Sequence, residues 1–268
     1  MNQLPFIHFT DKYLLHPYNP VTVNLIGAGG TGSQMLTALA RMNHSLIALG
    51  HPGLQVTLYD DDKVSAANLG RQLFAESEIG LYKSVALINR LNRFFGTDWK
   101  AVTKRFSMKT LRKELNNGAA NLTISCVDTV ASRYEIASVL KEHACVKHVR
   151  DKILYWMDCG NAQFTGQVIL STLMEIKQPD SKQFSPVAAL PLVTDEFKLL
   201  LDNEVDNNEP SCSLAEALEK QDLYINSTIA NLAGSLLWQL FREGMVENRG
   251  FFVNLRDFRV QPLKVARQ

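Results

Sequence analysis

Val21 to Ile26 (VTVNLI) is a short apolar, β-branched run that ends in the glycine cluster Gly27, Gly29, Gly30 and Gly32. Behind it Met35, Leu36, Leu39 and Met42 recur at helical spacing, so the stretch reads as strand, tight turn and helix. Gln55 to Tyr59 (QVTLY) is a second apolar strand, closed by Asp60, Asp61 and Asp62. The intervening HSLIALGHPG reads as a loop insertion. Val85, Ile88, Leu91 and Phe95 then mark an amphipathic helix, and Leu122 to Val127 (LTISCV) is a buried strand. Asp128 and Thr129, both good helix-capping types, precede a helix over roughly 130–142.

Strands that alternate with helices demand crossover connections, which build a parallel sheet covered on both faces. The pattern changes beyond about residue 145. ILYWMDCG and GQVILST are separated by a short polar link, and FFVNL and RVQPLKV close the chain; both pairs predict antiparallel strands. Between them lie the acidic stretch DNEVDNNEPSCS, which reads as a loop, and a helix with the stripe Ile229, Leu232, Leu236 and Leu240. The expected fold is α/β, a Rossmann-like, doubly wound, mostly parallel sheet with antiparallel C-terminal additions.

The chain has 268 residues, 46% of them hydrophobic and 21% charged, enough for one substantial core. Its formal net charge of +1 supplies no overall field for nucleic acid or an anionic membrane, and neither is expected as a partner. No secretory signal pattern or membrane-length apolar run occurs, so a soluble, cytoplasmic protein is expected. Cys126, Cys145, Cys159 and Cys212 form no C-x-x-C pair, and the histidines lack metal-ligand spacing. Cys126 and Cys159 fall in predicted strands and read as core residues, while Trp99, Trp156 and Trp238 read likewise.

Candidate chemistry gathers at the strand ends. Gly27-x-Gly29-x-x-Gly32 lies between a strand and a helix, where backbone N–H groups and the helix N-terminus can receive phosphate oxygens. A glycine turn that only packs helix against strand satisfies the same pattern. Asp60 stands where a ribose-hydroxyl acceptor belongs, although further along than is usual for dinucleotide folds. Asn68, Arg71 and Gln72 follow, then Lys83; donors of this kind beside a phosphate loop suit a triphosphate. Asp128 ends the next parallel strand at the same edge of the sheet, where a carboxylate can hold magnesium against phosphates.

GAGGTGS (27–33), YDDDKVSAANLGRQ (59–72), IGLYKS (79–84) and CVDTVASRYEI (126–136) together resemble the ThiF, MoeB and ubiquitin-activating adenylyltransferases, and MDCGNAQFTGQV (157–168) does so more loosely. Within that group the chain is most similar to the ThiF-like proteins of PRTRC gene clusters. The resemblance implies ATP and magnesium as cofactors. Gly27, Gly29, Gly30 and Gly32 would cradle phosphates, Asp60 would bind ribose, and Asn68, Arg71 and Lys83 would contact the phosphate chain. Asp62 matches a second acidic position of the motif, and Asp128 would be the magnesium carboxylate. It further implies adenylation of the C-terminal carboxylate of a ubiquitin-like protein, a conjugating-enzyme-like protein as a further partner, and a homodimer.

Many members then transfer the acyl group to a thiol, and PSCSLAEAL places Cys212 in the matching position; the competing role for Cys212 is that of a small buried apolar residue. Departures from the family are the missing zinc-binding cysteine pairs, so no zinc is expected, the absence of an arginine before Arg41, and Thr129 where many relatives carry asparagine. A dinucleotide-dependent oxidoreductase and a non-catalytic partner subunit of the same fold are the alternatives. The first leaves Asn68, Arg71 and Lys83 unexplained. One domain is expected over 1–268, with a nucleotide-binding half at about 21–145 and a sheet extension, thiol loop and C-terminal helix at about 146–268.

Overall fold

The computed structural model describes residues 4–111, 118–144, 152–203 and 214–267. In chain order the elements are β1 (Phe6–Phe9), α1 (Lys12–Leu15), β2 (Val21–Ile26), α2 (Gly30–Ala48), β3 (Leu54–Tyr59), α3 (Lys83–Phe95), β4 (Lys100–Val102) and α4 (Met108–Leu111). Then come β5 (Leu122–Ser125), α5 (Val130–Ala144), β6 (Tyr155–Asn161), β7 (Thr165–Thr172), β8 (Ser185–Pro186), α6 (Val193–Glu196) and α7 (Lys198–Asp202). The chain closes with α8 (Leu214–Lys220), α9 (Ile225–Arg242), β9 (Met245–Val246), β10 (Asn248–Asn254) and β11 (Arg259–Lys264).

The main sheet has eight strands in the order β11-β10-β7-β6-β5-β2-β3-β4. β4, β3, β2, β5 and β6 run parallel, and β7, β10 and β11 continue the sheet antiparallel. The expected mixed α/β architecture is therefore present, with its parallel part carried one strand further, to β6. From β2 the chain winds outward through β3 and β4, then returns to β5 on the other side of β2. This reversal leaves a crevice at the C-terminal ends of β2 and β5, the place where open sheets of this kind bind ligands.

Two apolar clusters cover the sheet. One joins α2, α3 and α9 through Met35, Leu36, Leu39, Leu87, Leu91, Ile229, Leu237 and Leu240; the other joins α5 to Tyr59, Phe106 and Trp156. Each fully buried leucine or isoleucine contributes about 1.5–3 kcal/mol relative to an exposed one. The stripe on α9 is realised with one change: Leu232 is half-buried, while Ala233 and Leu237 face the core. HSLIALGHPG is not a loop insertion. Leu46 extends the buried face of Leu36 and Leu39, so α2 runs to Ala48 and only 49–53 turns toward β3. β5 stops at Ser125 rather than Val127, because β2, its neighbour, ends at Ile26. Among the described residues no helix is long and apolar enough to cross a membrane.

A small sheet, β8-β1-β9, is absent from the sequence reading. It surrounds His8, which is fully buried. His8 Nδ1 lies 2.7 Å from the Val187 carbonyl and must donate to it, so Nε2 accepts from the Tyr155 hydroxyl at 3.0 Å. That hydroxyl accepts in turn from the Asp11 N–H at 3.0 Å. Burial holds the imidazole pKa below its usual value of 6.5. A folded pKa below the unfolded one gives stability that is complete above about pH 6.5 and is lost as pH falls through the folded value. His8→Gln is expected to flatten the acid side of the stability curve, checked by urea unfolding across the acid range; an unchanged slope rejects this role for His8.

Candidate active site

Gly27 directly follows β2 with φ +92°, a left-handed conformation that side chains rarely adopt, and a Cβ there would lie 2.5 Å from the Cys126 carbonyl oxygen. At Gly32 a Cβ would lie 1.9 Å from the Gly27 carbonyl oxygen. These two glycines let α2 start tight against the ends of β2 and β5. Gly29 is different. A Cβ there meets nothing within 4 Å, so protein packing does not require glycine at this position. A backbone that a ligand approaches closely does.

Beyond the turn opens a cavity of about 410 Å³. Its walls include Gly27, Gly29, Gly30, Asp60, Asp61, Asp62, Arg71, Lys83, Cys126 and Asp128, so the structure gathers most of the sequence-predicted site in one place. Ile26, Tyr59, Phe106 and Val127 make an apolar side suited to a purine, with the Tyr59 and Phe106 rings edge to face at 5.1 Å.

Asp60 pins the strand ends. Its Oδ2 accepts from the Ala28 N–H at 2.6 Å and its Oδ1 from the Asp62 N–H at 2.9 Å. Burial raises its pKa above 3.8, opposed by those N–H bonds and by the Lys83 charge. Each carboxylate oxygen keeps a further lone pair for a sugar hydroxyl. Lys83 opens α3, where a cation opposes the helix dipole. It is nonetheless buried, with Nζ 2.9 Å from the exposed Asp62 carboxylate. This placement costs stability locally and keeps a positive charge at the cavity.

Arg71 donates from Nη1 to Gln221 Oε1 at 2.8 Å, while burial lowers its pKa and the Asp128 charge raises it. Its Nε and the neighbouring Gln72 Oε1 are buried without a hydrogen-bond partner. An unsatisfied donor on a cation, in a cavity with an unobstructed glycine backbone, fits a phosphate group. Asp128 is exposed at the cavity edge, and a single accessible carboxylate of this kind fits a magnesium ion shared with phosphate oxygens. Thr129 Oγ1 caps α5 by accepting from the Ser132 N–H at 3.1 Å.

Asn68 does not line the cavity. Its Oδ1 accepts from Ser65 N at 2.9 Å and Ser65 Oγ at 3.1 Å in a capping box around the short turn Ala66–Asn68. Cys126 is not a core residue within β5 but lies just beyond it and lines the cavity. Cys159 is buried and also borders the cavity, and contact with Cys126 together with burial pushes its thiol pKa up. Cys212 and Cys145 lie outside the described residues.

The sequence reading missed Arg105, Asn161, Gln221 and Asn226, which also line the cavity. Asn161 lies inside MDCGNAQFTGQV, a segment whose looser resemblance assigns no cavity side chain, and Arg105, Gln221 and Asn226 come from scattered segments with no local motif; the contact of Gly30 with Asn226 exists only in the fold.

Comparison with known proteins agrees with this architecture. "Ubiquitin-like modifier-activating enzyme 5" of Culex quinquefasciatus is 29% identical over 133 residues, covering 45% of this chain and 31% of the relative. The protein of the same description from Drosophila willistoni is 27% identical over 187 residues, covering 65% and 40%. The chain thus spans well under half the length of these curated relatives. Among solved structures, PaaA superposes with a TM-score of 0.59 at 17% identity, covering 92% of this chain and 73% of PaaA. E. coli MccB with ATP gives 0.56 at 13%, covering 95% and 66%. The model of the ThiF family matches residues 7–268, and the chain belongs to that family.

Proposed function

We propose that this protein uses ATP and magnesium to adenylate the C-terminal carboxylate of a ubiquitin-like protein. The observation that carries the reading is the cavity at the β2/β5 crevice, where an open glycine backbone meets the cations Arg71, Lys83 and Arg105 and the acids Asp60 to Asp62 and Asp128. The similarity to ubiquitin-like modifier-activating enzymes supports the substrate class.

Carboxylates are poor acyl donors, and activation supplies a leaving group. In the proposed step a substrate carboxylate oxygen forms a bond to the α-phosphorus while the bond to the bridging oxygen of pyrophosphate breaks, its electron pair leaving with pyrophosphate. Asp60 fixes the ribose, the α2 N-terminus and the backbone of Gly29 and Gly30 receive phosphate oxygens, and Arg71 and Lys83 stabilise the charge that develops on the departing group. Asp128 would hold magnesium, which would supply further neutralisation of the phosphates. Cys212 is the proposed acceptor of the acyl group, its thiolate displacing AMP to give a thioester. The proposal includes a homodimer within one folded domain per chain, a conjugating-enzyme-like partner and, more narrowly, a place among the PRTRC-type ThiF proteins.

Calorimetry is expected to give tighter binding of ATP with magnesium than of NAD, and the candidate ubiquitin-like protein is expected to drive exchange of label between pyrophosphate and ATP. Preference for NAD, or no exchange, rejects adenylation. A thiol-reducible conjugate that survives Cys212→Ala moves the acceptor elsewhere.

A further inference from the structure

Asn226 sits on the first turn of α9, 195 residues after the glycine turn it touches, and is 2% exposed. Every polar atom of its amide is engaged. Oδ1 accepts from Thr31 Oγ1 at 2.9 Å and from Asn161 Nδ2 at 2.9 Å, and Nδ2 donates to Gln221 Oε1 at 2.9 Å. The same Gln221 oxygen accepts from Arg71 Nη1 at 2.8 Å. A Cβ on Gly30 would lie 2.5 Å from the Asn226 amide, so the amide lies directly on the backbone of the turn.

We infer that Asn226 and Gln221 are positioning residues that align the Arg71 guanidinium with the phosphate-binding backbone of Gly30 and Thr31. The inference rests on the nucleotide reading above and deepens it. Three features carry the argument. A guanidinium that must meet a phosphate has to be held in orientation without its charge being neutralised, and a neutral amide oxygen does this where a carboxylate would compete with the ligand. Gln221 takes only one face of Arg71 and leaves Nε unpartnered within the cavity wall. Finally, the Asn226 amide is directional. With its oxygen committed to two donors, only its N–H faces Gln221, which fixes the Gln221 oxygen as the atom shared with Arg71.

That directionality makes the test specific. Gln221→Met keeps the volume of a half-buried side chain and removes the acceptor. Asn226→Asp keeps the acceptor for Thr31 and Asn161 but presents an oxygen to Gln221, which then turns its N–H₂ group toward Arg71. Binding of ATP, ADP and adenosine to the full chain is measured by calorimetry, with thermal unfolding alongside. In Gln221→Met ATP affinity is expected to fall about tenfold, the loss of a hydrogen bond that orients a charged group, while adenosine affinity stays as in the unaltered protein and the melting temperature falls because the buried Asn226 amide N–H loses its acceptor; Asn226→Asp, which also brings a negative charge to the turn, is expected to lose at least as much ATP affinity. An ATP affinity unchanged in Gln221→Met, or a parallel loss for ATP and adenosine, overturns the inference. Failure of the unaltered protein to bind ATP is a separate result that removes the nucleotide reading itself and this inference with it. Should Asn226→Asp not fold, Gln221→Met alone decides.

Discussion

Asp128→Ala is expected to lower pyrophosphate–ATP exchange by about 10³-fold, the order expected when the group that anchors a phosphate-bound metal is removed. Asp128 is exposed at the end of β5 and packs into no core, so its removal should leave the melting temperature unchanged. Adenosine affinity should also persist, since the Asp60 hydrogen bonds and the Tyr59–Phe106 contact do not involve Asp128. Asp128 also raises the Arg71 pKa, and its loss removes a competitor for that guanidinium. Magnesium-free ATP should therefore bind the variant at least as well as the unaltered protein, while magnesium no longer improves binding. Exchange within a few-fold of the unaltered rate would place the metal carboxylate elsewhere.

Arg133→Met is expected to cost about 3–5 kcal/mol of folding stability. Arg133 and Asp158 are 3% and 0% exposed, with Nε 3.2 Å from Oδ2. Asp158 Oδ1 also accepts from Ser125 Oγ at 2.6 Å, and that hydroxyl accepts from Trp156 Nε1 at 2.8 Å. Removing the guanidinium leaves a carboxylate in the core without its charge partner. Urea unfolding at neutral pH measures the loss. The double variant Arg133→Met/Asp158→Leu should recover most of the stability, because an apolar pair of similar volume replaces the ion pair without an unpaired charge. A single variant as stable as the unaltered protein would mean that solvent reaches Asp158. Arg133 Nη2 also donates to the Val127 carbonyl at 3.1 Å, next to Asp128, so the same ion pair braces the segment that presents Asp128.

Local signals carried the glycine-turn side of the cavity. The strand–glycine–helix order placed Gly27 to Gly32, and the acids and cations behind β3 and β5 reached the cavity because parallel strands deliver their C-terminal ends to one edge. Asn68 matched the same motif, yet its side chain is held in a capping box; a motif position does not state which way an amide points. The extra distance from the glycine turn to Asp60 suggests a loop insertion at HSLIALGHPG, whereas burial of Leu46 spends most of that length on a longer α2. The amide network was invisible for another reason. Asn161, Gln221 and Asn226 are uncharged residues of common type, and only the folded chain brings them to the turn.

The reach of α9 to Thr31 gives the cavity a dependence on chain that follows it by almost two hundred residues. A fragment ending near Ala144 would contain every glycine of the turn and every predicted phosphate ligand but none of the amides that seat them. Truncations meant to isolate a minimal nucleotide module by trimming the C-terminal side would dismantle the module they aim to keep.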